Sequence, residues 1–182
     1  MGAAIAVRMT AAEFAALPDD GESKRELIDG EVCEMASGGP VHERVKGNVA
    51  LEFAAFVKIH KIKALFQSET RYYLPNDFDT FQPDVSLVLG DSLDPKNEGK
   101  ITIVPDLAVE VVSSETVDRL NHKIRVLLEL GARAVVVVYP TDREVLIHRL
   151  NGIERLASSG ILQLEDVLPG FSAPVAALFD GI

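Results

Sequence analysis

The chain has 182 residues, 47% of them hydrophobic and 25% charged, a balance that predicts one globular domain with a substantial core. Its net charge of -10 and pI near 4.8 argue against broad nonspecific adhesion to nucleic acid, which needs a basic footprint. Cys33 is the single cysteine, the first seven residues are too short for a secretory signal, and no apolar run reaches membrane-spanning length, so a soluble cytoplasmic protein without disulfides or a membrane partner is expected.

Thr10 and Glu13 are spaced as a capping box and open a short helix that ends before Pro18. Residues 25–28 and 31–35 flank Asp29-Gly30, the pattern of a hairpin with a type I′ turn. Period two sets Glu26 and Ile28 on one face and Leu27 on the other. Glu26 is then surface decoration or, if the Ile28 face lines a cleft, directed into it. Ser37 to Pro40 breaks the chain, and a long helix is predicted from 41 to about 59. Its apolar arc holds Val41, Val45, Val49, Phe53, Phe56 and Ile59, with His42 and Glu52 inside it. His42 is either a satisfied core histidine or a site residue, and Glu52 belongs at the solvated edge. One strand is predicted over 64–74, alternating Leu65, Gln67, Glu69 and Arg71 against Phe66, Ser68, Thr70 and Tyr72. The next, over 84–89, is entered through Pro83 and leaves Asp84 at the mouth of an apolar run. Residues 90–100, with Asp91, Asp94, Pro95 and Gly99, read as a polar, flexible loop.

Around Glu110, the residues Leu107, Ala108, Val109, Val111 and Val112 offer almost no polar relief, the pattern of a strand covered on both faces. An ionised carboxylate there needs a cation, a metal or good donors to offset its desolvation. The following helix has Ser113, Ser114 and Thr116 as candidate N-caps and Gly131 as its stop. On its wheel Val117, Leu120, Ile124, Leu127, Leu128 and Leu130 form one arc, and Lys123 falls inside it. The Lys123 ammonium either snorkels to water or reaches a polar partner, of which Glu110 is the nearest in sequence. Residues 132–139 give a second fully apolar strand and sheet neighbour, 144–150 another, with Asn151-Gly152 as a hairpin turn. The tail from Leu168 to Phe179 is an apolar cover piece.

Asp84 at one strand start, Glu110 inside the next strand and Lys123 on the following helix make a constellation. Two carboxylates on neighbouring strands can hold a hard divalent cation that keeps several waters. A nearby lysine can position or deprotonate an attacking water, or stabilise charge on a phosphate. The set is therefore a candidate phosphodiester-hydrolysis site, although strand-end acids alone are common in α/β domains.

From about Phe14 to Phe179 the chain resembles the Uma family of putative restriction endonucleases, in the PD-(D/E)xK nuclease superfamily. The matching stretches are Glu26 to Glu31, His42, Glu69-Thr70, Tyr73 to Pro75, Pro83 to Ser86, Asp106 to Ser113, Glu115-Thr116, Lys123, Leu130-Gly131 and Leu168 to Phe171. Their order and spacing carry the resemblance. It implies a restriction-endonuclease-like core of α/β (α+β) class, a mixed central sheet flanked by helices and carrying β-hairpins, in a single domain over 1–182 with its core at about 14–179. It further implies Asp84 and Glu110 as ligands of Mg²⁺ or Mn²⁺, joined by the Val111 carbonyl. Lys123 stands in for the lysine usually found two residues after the acid, where this chain has Val112. Glu26 is the additional acid and His42 a site-lining residue.

The activity so implied is metal-dependent endonucleolytic hydrolysis of DNA. Arg44, Lys46, Lys58, Lys61 and Lys63 then form a local basic patch, or else only a solvated helix face. Two positions depart from the family pattern: Leu127 stands where a tyrosine is frequent, and Tyr139-Pro140 where Asp-Pro is usual. Two other readings stay open. One is a non-catalytic protein of this fold with a structural Glu110–Lys123 pair; the other is an interaction module, a homodimer built through exposed apolar elements such as the C-terminal cover piece.

Overall fold

In the computed structural model, which describes residues 8–18, 24–35, 38–90 and 100–182, the local signals act where they stand. Ser37 and the loop residues 91–99 lie outside the described residues. The capping box closes in both directions: Glu13 N–H donates to Thr10 Oγ1 at 3.2 Å and Thr10 N–H donates to Glu13 Oε2 at 2.8 Å, opening α1 (Ala11–Ala15). β1 (Lys24–Ile28) and β2 (Glu31–Met35) form the expected hairpin, with Asp29 and Gly30 at φ 51° and 80° as a type I′ turn requires. α2 (Pro40–Ile59) starts with its proline in the first turn, where the missing N–H costs nothing.

The predicted strand over 64–74 is two elements. β3 (Ala64–Ser68) ends because Glu69 takes φ 51° and turns its N–H to the Pro83 and Asp84 carbonyls; β4 (Tyr72–Tyr73) then joins a different sheet. β5 (Thr80–Phe81), β6 (Val85–Leu89) and β7 (Leu107–Val111) follow. α3 (Val117–Glu129) is capped by Thr116 and stopped by Gly131 at φ 117°. The chain closes with β8 (Ala134–Tyr139), β9 (Glu144–Arg149), β10 (Gly152–Ala157), β11 (Ile161–Gln163), β12 (Ser172–Pro174) and a 3-10 turn, Val175–Phe179. The β9–β10 turn sits one residue earlier than the sequence suggests, because Gly152 already pairs with Arg149.

The mixed central sheet has the order β10-β9-β8-β7-β6-β3. Only β7 and β8 run parallel, and α3 is the crossover that a parallel pair needs. A second sheet, β2-β1-β5-β4, is antiparallel. Alternation along β7 divides the core. Leu107, Val109 and Val111 pack with Val45, Val49 and Phe53 of α2 and with Leu168, Phe171 and Leu178 of the tail. Ala108 faces the other way with Val135 and Val137, under Leu120, Ile124 and Leu127 of α3 and Phe81 of the small sheet. Glu110 belongs by period to this second side.

Both helical arcs are shorter than their wheels. Val41, Ile59 and Val117 are exposed (49%, 73% and 72%), because each lies at a helix end beyond the sheet that covers the middle turns. Glu52 is half-buried rather than solvated. The C-terminal cover piece offers no exposed apolar face for a dimer: Leu168, Phe171, Val175, Leu178 and Phe179 are all consumed by this chain's own core. Among the described residues, no helix is long and apolar enough to cross a membrane.

Candidate active site

Antiparallel register brings the two strand acids together. β6 and β7 pair Leu87 with Leu107, Ser86 with Ala108 and Val85 with Val109, so one step further sets Asp84 opposite Glu110 on the same face. Directly opposed residues lie about 4.5–5.5 Å apart at Cβ, where like charges repel. Both are buried, at 4% and 5% exposure, and both line a cavity of about 520 Å³ together with His42, Val111 and Lys123.

Asp84 is well supplied with donors. Its Oδ2 accepts the Val111 N–H at 2.8 Å and meets His42 Nε2 at 3.2 Å, while Oδ1 lies 3.9 Å from Lys24 Nζ. Burial works against ionisation, but His42, Lys24 and the Val111 N–H outweigh it and hold the carboxyl below its ordinary range. The backbone of Asp84 is fixed too, its carbonyl accepting from Ser68 Oγ at 2.9 Å. His42 bridges from Asp84 to Glu43, whose Oε1 lies 3.2 Å from Nδ1. The hydrogen bond to Asp84 raises the imidazole above its usual value against the opposing effect of burial. A side chain at Gly38 would collide with the His42 ring, so glycine makes room for it.

Glu110 is supplied poorly. Burial pushes its carboxyl up to about 8; Lys123 offsets part of this, while Asp84, Glu26 and Glu115 add to it. Lys123 does not snorkel. It is 1% exposed, and its ammonium lies 3.0 Å from Glu110 Oε1, 3.2 Å from Glu26 Oε2 and 3.7 Å from Glu115 Oε1. Burial disfavours that ammonium, but the three carboxylates more than compensate and hold it above the ordinary lysine range. These are charge contacts rather than well-directed hydrogen bonds, and all three oxygens lack a hydrogen-bond partner. One fixed cation thus faces two buried acids and a third that is partly exposed.

All five expected side chains converge, though not equally. His42, Asp84, Glu110 and Lys123 line the cavity, whereas Glu26 is fully buried behind it, held by the Gln82 N–H at 2.7 Å and reaching the site only through Lys123. Sequence reasoning missed Glu115, which looks like part of a capping run. It also missed Lys24, although period two sets it on the face of Glu26. Lys46 leaves the basic patch: it is 9% exposed and clasped by Glu43 at 2.7 Å and Glu69 at 3.1 Å. Arg44, Lys58, Lys61 and Lys63 are exposed as expected.

The donor set fits a hard divalent cation. Two opposed carboxylates, one with an unpartnered buried oxygen, face a polar cavity. Among the described residues no three His, Cys, Asp or Glu side chains form a metal cluster. An ion of the Mg²⁺ type needs none, being held by one or two carboxylates and otherwise by water and substrate oxygens.

Among solved structures, the chain is similar to a putative nuclease belonging to DUF820 from Anabaena variabilis, with a TM-score of 0.83, 20% identity, and coverage of 94% of this chain and 97% of that one. A second likeness, to the chain of a DrdV–DNA complex, has a TM-score of 0.36 at 12% identity and covers 78% of this chain and 14% of that one. No curated protein matches the sequence. A family model, Uma2, described as putative restriction endonuclease, matches residues 11–176. The fold is therefore that of the DUF820 structure, and the chain belongs to the Uma2 family of putative restriction endonucleases.

Proposed function

We propose that the protein is a metal-dependent endonuclease that hydrolyses phosphodiester bonds of DNA. The observation that carries this reading is the pairing of Asp84 and Glu110 across two antiparallel strands at a polar cavity, in a chain of a family described as putative restriction endonucleases. Asp84, Glu110 and the Val111 carbonyl would hold Mg²⁺ or Mn²⁺. Such an ion, when bound, polarises the phosphoryl group and lowers the pKa of a bound water.

The chain's own groups then act as follows. His42 and the Val111 N–H fix the Asp84 carboxylate and keep it ionised. Lys123 keeps its proton, so it is a positioning group rather than a base: it holds Glu110 in place and lends one positive charge to the floor of the cavity. Glu26 and Glu115 hold that lysine from behind.

The enclosure of Lys123 also favours a second reading, in which the cluster is a structural ion network without chemistry. The two separate in one experiment: cleavage of plasmid and single-stranded DNA by purified protein with Mg²⁺ or Mn²⁺, beside folded Asp84→Asn and Glu110→Gln variants. Metal-dependent cleavage lost in both variants supports the nuclease. No cleavage by the wild type, with no rise in its melting temperature on adding metal, favours the structural network.

A further inference from the structure

A phosphodiester cannot approach this cavity on the strength of Lys123. Six carboxylates line the cavity, namely Glu34, Glu43, Glu69, Asp84, Glu110 and Glu115. The lysine on its floor is 1% exposed and already faces Glu26, Glu110 and Glu115. The substrate's charge must be met by cations nearer the mouth.

Two residues stand there. Lys24 precedes Glu26 by two on β1, so the pleat sets both side chains on the same side of the strand. Arg119 precedes Lys123 by four on α3, so it lies on the same side of the helix one turn earlier. The inner pair, Glu26 and Lys123, is sealed; the outer pair, Lys24 and Arg119, lines the cavity and is partly exposed.

Neither outer cation is committed. Among the described residues, the ion pair that Lys24 makes is a long one, 3.9 Å from Asp84 Oδ1, beyond hydrogen-bond distance, which leaves the donors of its ammonium for a further anion. No ion pair or side-chain hydrogen bond engages the Arg119 guanidinium among the described residues, although its backbone N–H caps onto Thr116 Oγ1. By contrast, Lys46 is bound by two carboxylates. A partly buried, unpaired guanidinium offers a planar fork of donors matched to phosphate oxygens.

We propose that Lys24 and Arg119 are the substrate-binding cations of this site, gripping DNA phosphates from its two walls while Lys123 stays behind the carboxylates. The proposal rests on the nuclease reading and adds to it which residues meet the phosphates. On this view the exposed cations of α2, among them Arg44 and Lys58, are not the main footprint.

The test is fluorescence anisotropy of a short labelled DNA duplex titrated with the full protein over a range of salt, in Ca²⁺, alongside Mn²⁺-dependent cleavage. Lys24→Ala and Arg119→Ala are compared with wild type and with Arg155→Ala, a change on the exposed outer strand β10. Each cavity variant is expected to weaken binding roughly tenfold at about 0.1 M salt and to reduce the slope of log affinity against log salt by about one. Arg119→Lys is expected to keep the slope and recover only part of the affinity, because an ammonium cannot bind two oxygens side by side. Wild-type binding and slope in both alanine variants, with cleavage intact, would overturn this assignment and leave the nuclease standing. Absence of both binding and cleavage in the wild type would overturn the nuclease reading, and this assignment with it.

Discussion

Two buried acids on the same side of the molecule are treated in opposite ways. Asp79, 2% exposed, has its acceptors filled: Oδ1 takes the Asp29 N–H at 2.9 Å and His122 Nε2 at 2.8 Å, and Oδ2 takes Asn76 Nδ2 at 2.7 Å. His122 is used up as well, its other nitrogen meeting Arg125 at 3.1 Å. Glu110 is also buried, yet its Oε1 has a single badly directed cation, and the residue lines a cavity shared with a second carboxylate. The difference separates a strut from a working group. A buried acid with both oxygens hydrogen-bonded ties the hairpin turn to α3, while one left short of donors is costly unless something else arrives to complete it.

The largest test of this contrast is Lys123→Met, which keeps the stem and deletes the charge. It should cost about 3–5 kcal/mol in urea unfolding near pH 7, because Glu26, Glu110 and Glu115 lose their shared cation. A loss below about 1 kcal/mol would mean that the cluster is not ionic. Next is Asp84→Asn, which keeps an acceptor for the Val111 N–H but removes the charge. Cleavage should fall by more than about a hundredfold, beyond what loss of an outer-shell partner gives, with a stability change of about 1 kcal/mol.

Asp79→Ala should do the reverse. Three donors lose their acceptor, so stability should drop by about 2 kcal/mol while cleavage per folded molecule is unchanged. Reduced cleavage by a fully folded Asp79→Ala protein would break the distinction drawn here. The last test concerns pH. With Glu110 raised to about 8 in the folded protein, its contribution to stability is complete below the ordinary carboxyl range and is lost as pH climbs toward 8. Glu110→Gln has no such titration. Melting temperatures in EDTA should therefore show the wild type losing ground to Glu110→Gln between about pH 5 and pH 8, then levelling off.

Much of the site was legible locally. A lone carboxylate in the 107–112 run and a lone lysine in an apolar helical arc each break a strong pattern, and such breaks can be read in one element at a time. His42 and Glu26 were legible only as alternatives, since a wheel or a pleat says which face a residue shares and not what covers that face. Lys24, Arg119 and Glu115 carry no break in any pattern, being polar residues at element ends. Glu69 misled the strand prediction because its positive φ follows from backbone bonds to Pro83 and Asp84, which are distant in sequence.

The sequence by itself determined a set of local features: the Asp29-Gly30 turn, the Thr10 cap, the apolar strands around Glu110 and over 134–139, and the need of Glu110 and Lys123 for partners. Those are short-range matters of dihedral preference, capping and hydropathy period. Only the tertiary structure decided that Asp84 stands across from Glu110, that Lys123 answers three acids at once, and that Lys46 is tied up while Arg119, among the described residues, is not. Strand register and the docking of α3 bring together residues far apart in the chain, and local periodicity carries no record of that pairing.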